Sequence, residues 1–282
     1  MGVQVPPRTP VQDQQRWRRS VCRSCGAILS HVLPILNVVI RRTLAQTREA
    51  TYAILLPSEG HAGMPVARGT GFFVTRTGYF VTARHVVDGA DVANAWLMQS
   101  HSAGGFAPML QWPELVNDWP EFDLALMKIA FGRNSTKAHL AGREDFPFIP
   151  PHLDRAEEGA PVYAFGYPLP VNQPVQQSPQ ISIGHVGLGH RTTSAIISSE
   201  LEHTRMVQTD RDAQVYALDK ALNYGNSGGP IVLQDSGEVF AVCSRFQPVY
   251  VPQPNGSAVM IPSLYGIVSS LSNIADDVRA LN

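Results

Sequence analysis

A chain of 282 residues with 44% hydrophobic residues, 23 Gly and 22 Pro can bury the core of one large two-lobed domain or two small ones. Its formal net charge of -1 excludes a globally basic nucleic-acid surface and an acidic, self-repelling chain. Three cysteines, Cys22, Cys25 and Cys243, are too few and odd in number for a disulfide framework, which favours a cytoplasmic location while leaving secretion or periplasmic export open.

Residues 1–19 combine Pro6, Pro7 and Pro10 with glutamines and the cluster Arg16-Trp17-Arg18-Arg19, a composition that buries little and reads as disordered. An apolar run follows from Ala27 to Ile40, interrupted by Ser30, His31, Pro34 and Asn37. It falls short of the roughly 18 residues of a membrane span. Basic residues precede it as in an export signal, but Arg41 and Arg42 stand between the run and the poor cleavage site Thr43-Leu44-Ala45, which argues against export. The other reading starts a helix at Pro34, with Ile35, Leu36, Val39, Ile40 and Leu44 as an apolar stripe. That stripe would dock on the domain, a partner subunit or a membrane surface. Cys22-x-x-Cys25 with His31 offers at most three ligands where structural zinc takes four, so no metal site is expected. Residues 1–48 are thus read as an arm and 49–282 as the folded domain.

From Thr51 onward, short apolar runs alternate with turn residues, the texture of an all-β barrel or sandwich. Strands are expected at Tyr52–Leu56, Gly71–Val74, Tyr79–Thr82, Ala95–Met98, Leu124–Ile129, Pro161–Phe165, Gln180–Val186, Met206–Gln208, Pro230–Leu233 and Val239–Ser244. Arg76-Thr77-Gly78 closes a hairpin that delivers His85 just past its second strand. Asn117–Phe122, Pro168–Pro179 and Gln247–Asn255 read as loops. After Pro262, with Ser263 as a cap, Leu264, Ile267, Val268, Leu271, Ile274, Val278 and Leu281 recur at helical spacing and predict a final amphipathic helix. The residues after Ser227 suffice for a few strands and this helix and leave no space for an appended domain.

Gly225-Asn226-Ser227-Gly228-Gly229-Pro230 carries the chemistry. Glycines around a serine let backbone N–H groups approach an incoming carbonyl oxygen. Serine is a poor nucleophile at neutral pH and needs a base and an acid that orients it. His85, in Thr82-Ala83-Arg84-His85-Val86-Val87, is the candidate base. Asp123, in Asp123-Leu124-Ala125-Leu126, is the candidate acid, with Asp118 and Glu121 as rivals. His101, His139, His152, His185, His190 and His203 lie in no such context and read as surface or loop residues.

The stretches Gly69-Thr70-Gly71-Phe72-Phe73-Val74, Gly78–Val87, Asp123–Leu126 and Gly225–Pro230 together resemble a trypsin-like serine protease of the chymotrypsin fold. Within that group the chain is most similar to bacterial HtrA/Deg-type proteases. The resemblance implies two packed six-stranded antiparallel β-barrels, meeting near residues 145–160, with a C-terminal α-helix. It also implies a serine endopeptidase in which His85, Asp123 and Ser227 form the triad and the N–H groups of Gly225 and Ser227 the oxyanion hole. It places Ala221, Leu222 and Ser244 at the specificity pocket, with Asp219 within reach, and a preference for small or medium apolar side chains. Polypeptides, partly unfolded ones among them, are the implied substrates, with no cofactor. Oligomerisation stays open, as do two alternatives: a silent peptide-binding module of this fold, and a protease that cleaves only its own arm. Asn226 departs from the aspartate that digestive members use to receive a new N-terminal amine, so activation by N-terminal cleavage is not expected. The PDZ domain usual in HtrA-type members is not expected either.

Overall fold

The computed structural model describes residues 40–57, 65–99, 109–111, 113–130, 143–168, 190–201, 213–253 and 256–281. The chain divides into two units, Met1–Arg42 and Thr43–Asn282. Of the first, residues 40–42 are described and are helical. Everything below concerns the second. Cys22, Cys25, His31 and the expected strands Gln180–Val186 and Met206–Gln208 lie outside the described residues, as does all but Pro168 of the expected loop Pro168–Pro179.

Helical residues 43–50 open the unit. Leu44 packs on the core, Thr47 and Ala50 are buried, and the Thr51 hydroxyl donates to the Thr47 carbonyl at 2.6 Å. Seven strands follow: β1 (Thr51–Pro57), β2 (Pro65–Phe73), β3 (Tyr79–Ala83), β4 (Trp96–Met98), β5 (Met109–Gln111), β6 (Glu114–Trp119) and β7 (Leu124–Lys128). They form an antiparallel sheet in the order β5-β4-β1-β2-β3-β7-β6. Gly78 makes the β2–β3 turn at φ 92°, where a Cβ would stand 2.5 Å from the Ile129 carbonyl oxygen. Aromatic side chains fill the sheet's inner face. Phe73 meets Tyr52 and Phe80 edge-on at centroid distances of 5.4 and 5.1 Å and stacks on Phe146 at 4.5 Å. Each such ring taken from water contributes about 1.5–3 kcal/mol.

The second lobe is a closed six-stranded barrel, β10-β13-β12-β11-β8-β9. Its strands are β8 (Pro161–Gly166), β9 (Arg191–Glu200), β10 (Val215–Leu218), β11 (Pro230–Leu233), β12 (Val239–Pro252) and β13 (Ala258–Ser270). Val162, Ile197, Tyr216, Ile231, Phe240 and Val268 pack inside it. A single apolar cluster joins the lobes: Phe72, Phe80 and Leu124 of the first lie in one core with Phe165, Val232 and Val242 of the second. The antiparallel β architecture with its short C-terminal helix matches the implied fold class, with one closed six-stranded barrel and, in place of the other expected six-stranded barrel, a seven-stranded sheet.

Three local expectations are corrected. Residues 117–119, expected in a loop, end β6, and only Pro120–Phe122 turn, as a 3-10 helix. The 247–255 loop is strand as far as Pro252, because β12 stays paired with β13 out to Pro252↔Ala258. The C-terminal helix is much shorter than its spacing suggests: residues 258–270 are strand, and only Ala275–Arg279 are α-helical after a 3-10 turn at Leu271–Ile274. The 3-10 turn is capped by Ser270, whose side chain accepts the Ser272 N–H, and the expected cap Ser263 lies within β13. Pairing with β10 and β12 overrides the apparent helical period, since Ile267 and Val268 are β-branched residues that suit a sheet equally well.

Candidate active site

Register brings His85 and Asp123 together. Ala83, the last residue of β3, pairs with Leu124, the first of β7, so the single helical turn Arg84–Val87 starts beside the residue that precedes β7. That residue is Asp123, at φ 53° and ψ 41°, the one non-glycine with positive φ among the described residues. An L-residue in this region costs about 1–3 kcal/mol, and such strain persists where the surroundings over-determine it. Here the Asp123 carbonyl accepts the Arg84 N–H at 3.0 Å and its Oδ1 accepts the His85 N–H at 3.0 Å. The Arg84 guanidinium is itself held, Nε to Asp118 Oδ2 at 2.7 Å.

The Asp123 carboxylate chelates the imidazole edge, with His85 Nδ1 at 2.8 Å from Oδ2 and 3.0 Å from Oδ1. A carboxylate accepts only, so this contact places the proton on Nδ1 and leaves Nε2 as the basic nitrogen. The imidazole is about half exposed, the carboxylate 15%. Burial works to raise the Asp123 carboxyl, but the hydrogen bonds from His85 and Ser244 and the charge of His85 outweigh it, and the group sits below its ordinary value. The Ser244 hydroxyl, from β12, donates to Oδ2.

Ser227 sits on a loop fixed from both lobes. Its carbonyl accepts the Thr70 N–H at 2.8 Å, and the Thr70 hydroxyl donates to the Gly225 carbonyl at 2.6 Å. Gly228 and Gly229 tie the loop to β12: the Gly228 N–H donates to the Cys243 carbonyl at 2.7 Å and the Cys243 N–H to the Gly229 carbonyl at 2.8 Å. Gly228 has φ 84°, and a Cβ there would lie 2.0 Å from the Thr70 carbonyl oxygen. Among the described residues the N–H groups of Gly225 and Ser227 have no hydrogen-bond acceptor. The Ser227 hydroxyl donates to the Ser244 carbonyl at 3.3 Å.

A histidine in the helical turn just after β3, an acid at the head of the adjoining strand and a serine between glycines of a second lobe occur here in the chain order His, Asp, Ser. Residues 69–242, more than half of the chain, match the trypsin-like peptidase domain. The chain belongs to that family. It is 28% identical over 184 residues, 65% of its length, to a probable periplasmic serine endoprotease DegP-like of Marinomonas sp.. It spans just under a third of the length of such curated relatives. Its fold is like that of the HtrA-type protease AlgW solved with a decapeptide, at TM-score 0.56 and 18% identity, covering 86% of this chain and 67% of that one. A serine endoprotease from Yersinia pestis gives TM-score 0.53 at 20% identity, covering 86% and 66%.

Around the trypsin-like core the remaining candidates are dispersed. Ala221 is exposed, and Leu222 is buried in the barrel, where it occupies the space that a Cβ on Gly266 would need. Ser244 turns its hydroxyl to Asp123 rather than to a pocket. The Asp219 carboxylate accepts the Ile196 N–H at 2.7 Å. Of the rivals to Asp123, Asp118 pairs with Arg84. His152, read as a loop residue, pairs through Nδ1 with Glu238 at 3.1 Å. Two polar anchors were not foreseen from the sequence: the Ser244 hydroxyl, expected at the specificity pocket, holds Asp123 instead, and the Thr70 hydroxyl holds the Gly225 carbonyl. Thr70 was within reach, since it sits in the Gly69-Thr70-Gly71 motif; Ser244 lies at the end of an apolar strand run with no local mark.

Proposed function

We propose that this chain, over residues 49–282, is a serine endopeptidase that hydrolyses peptide bonds in polypeptides through His85, Asp123 and Ser227. The observation that carries the proposal is the Asp123 carboxylate on His85 Nδ1, which leaves Nε2 as the basic nitrogen, turned from the acid. In the proposed step the Ser227 hydroxyl leaves the Ser244 carbonyl on which it rests and donates to that nitrogen. Nε2 then takes the proton as Oγ bonds to the scissile carbonyl carbon, and the imidazolium returns it to the leaving amine. The C–N bond breaks and an acyl-enzyme remains, which water hydrolyses with the same histidine as base. The free N–H groups of Gly225 and Ser227 suit the oxyanion, and losing one such donor typically costs about 2.7–4 kcal/mol.

Polypeptides as substrates are supported by the peptide-bound AlgW structure. No metal or organic cofactor takes part in the proposed chemistry. Intact mass after exposure to a fluorophosphonate tests the reading. A single adduct on the wild type, missing from Ser227→Ala and His85→Ala, is the expected result. No adduct on the folded wild type overturns it in favour of a peptide-binding module, the reading that the Ser227 hydroxyl resting on the Ser244 carbonyl would then support.

A further inference from the structure

We infer that Thr70 is a positioning residue that sets the nucleophile loop from the opposite lobe, an inference that rests on the proposed peptidase reading. Thr70 lies in β2 and is fully buried. All its polar atoms are engaged. Its N–H donates to the Ser227 carbonyl at 2.8 Å and its carbonyl accepts the Thr82 hydroxyl at 2.7 Å. Its hydroxyl donates to the Gly225 carbonyl at 2.6 Å and accepts the Tyr167 N–H at 3.0 Å.

The consequence follows from which peptide planes are held. The Gly225 carbonyl belongs to the Gly225–Asn226 plane and the Ser227 carbonyl to the Ser227–Gly228 plane. Thr70 therefore grips the planes on either side of the Asn226–Ser227 plane, whose N–H is one of the two free donors. It also fixes the far side of Gly225, at φ 91°, whose N–H is the other. Peptide planes are rigid, so holding the outer two restricts the rotation of the one between. Glycines make such a loop free to turn, and a buried hydroxyl that bridges two backbone groups opposes that freedom, because turning the loop would leave both groups unpaired. An Asn at position 226 cannot anchor the loop by an ion pair to an ammonium group, as an aspartate there would. The grip from β2 supplies the order by a neutral hydrogen bond that exists without any cleavage.

Thr70→Val keeps the shape and removes the hydroxyl, and Thr70→Ser restores it. Two readouts are taken: fluorophosphonate labelling resolved into a maximal rate and a saturation constant, and amide hydrogen exchange of peptides covering residues 223–229. The expected result for Thr70→Val is a maximal labelling rate lower by about ten- to hundredfold, with the saturation constant little changed, because the oxyanion donors act chiefly in the transition state. Exchange in 223–229 rises while the rest of the second lobe keeps its protection, and Thr70→Ser returns both readouts towards wild type. The inference is overturned if Thr70→Val labels at the wild-type rate with unchanged exchange, or if Thr70→Ser behaves as Thr70→Val and exchange rises throughout the lobe. Absence of labelling in the wild type would overturn the peptidase reading instead, and the exchange comparison would still decide whether Thr70 holds the loop.

Discussion

The hydroxyl of Ser244 hydrogen-bonds to Oδ2 of Asp123, 121 residues earlier in the chain, so the acid of the first lobe is oriented by a strand of the second. A hydrogen bond to an ionised group contributes about 1.5–3 kcal/mol. Ser244→Ala is expected to lower the maximal fluorophosphonate labelling rate about tenfold, equal to about 1.4 kcal/mol, with the protein still folded by circular dichroism.

The depressed Asp123 carboxyl has a consequence for stability against pH. A group whose folded pKa lies below its unfolded value, here below 3.8, stabilises the fold above that value and ceases to do so as pH falls through the folded one. The melting temperature of wild type relative to Asp123→Asn should therefore be highest at neutral pH. The gap should close as pH falls below about 4, as scanning calorimetry from pH 7 to pH 3 would show. A gap that widens in acid would contradict the assignment. At neutral pH Asp123→Asn should also label about 10⁴-fold more slowly, since an amide favours the wrong imidazole tautomer.

Gly228 is confined twice, by φ 84° and by the Thr70 carbonyl and Thr82 hydroxyl that a Cβ would strike at 2.0 and 2.2 Å. Gly228→Ala must move backbone on one side or the other. Urea unfolding should find it destabilised by roughly 2–4 kcal/mol, and labelling at Ser227 should be lost even where the variant folds.

Cys243 is fully enclosed at the back of the Ser227 loop, and burial together with the nearby Asp123 charge pushes its thiol well above the usual range. Thiolate, not thiol, is alkylated. Iodoacetamide at pH 8 should leave Cys243 unmodified in the native protein and modify it fully in urea, by peptide mass mapping.

Local chemistry made the triad candidates legible. Ser227, His85 and Asp123 stood out because glycines flank the serine and each of the others adjoins a hydrophobic strand, patterns written within a few residues. The β2–β3 hairpin and the strands Leu124–Lys128 and Pro230–Leu233 were legible for the same reason. The sequence alone thus determined the β class, the trypsin-like motifs and the candidate triad. Tertiary structure decided the rest. Residues 264–268 satisfy helical spacing as well as strand pairing, and only the partners β10 and β12 select the strand. The contacts of Ser244 and Thr70 are not marked locally, since Asp123 and Gly225 reach them only where the two lobes meet, and Leu222 meets Gly266 only through the closure of the second barrel. A hydrogen bond across 121 or 155 residues is encoded in the packing of two sheets, and no window of sequence contains both of its ends.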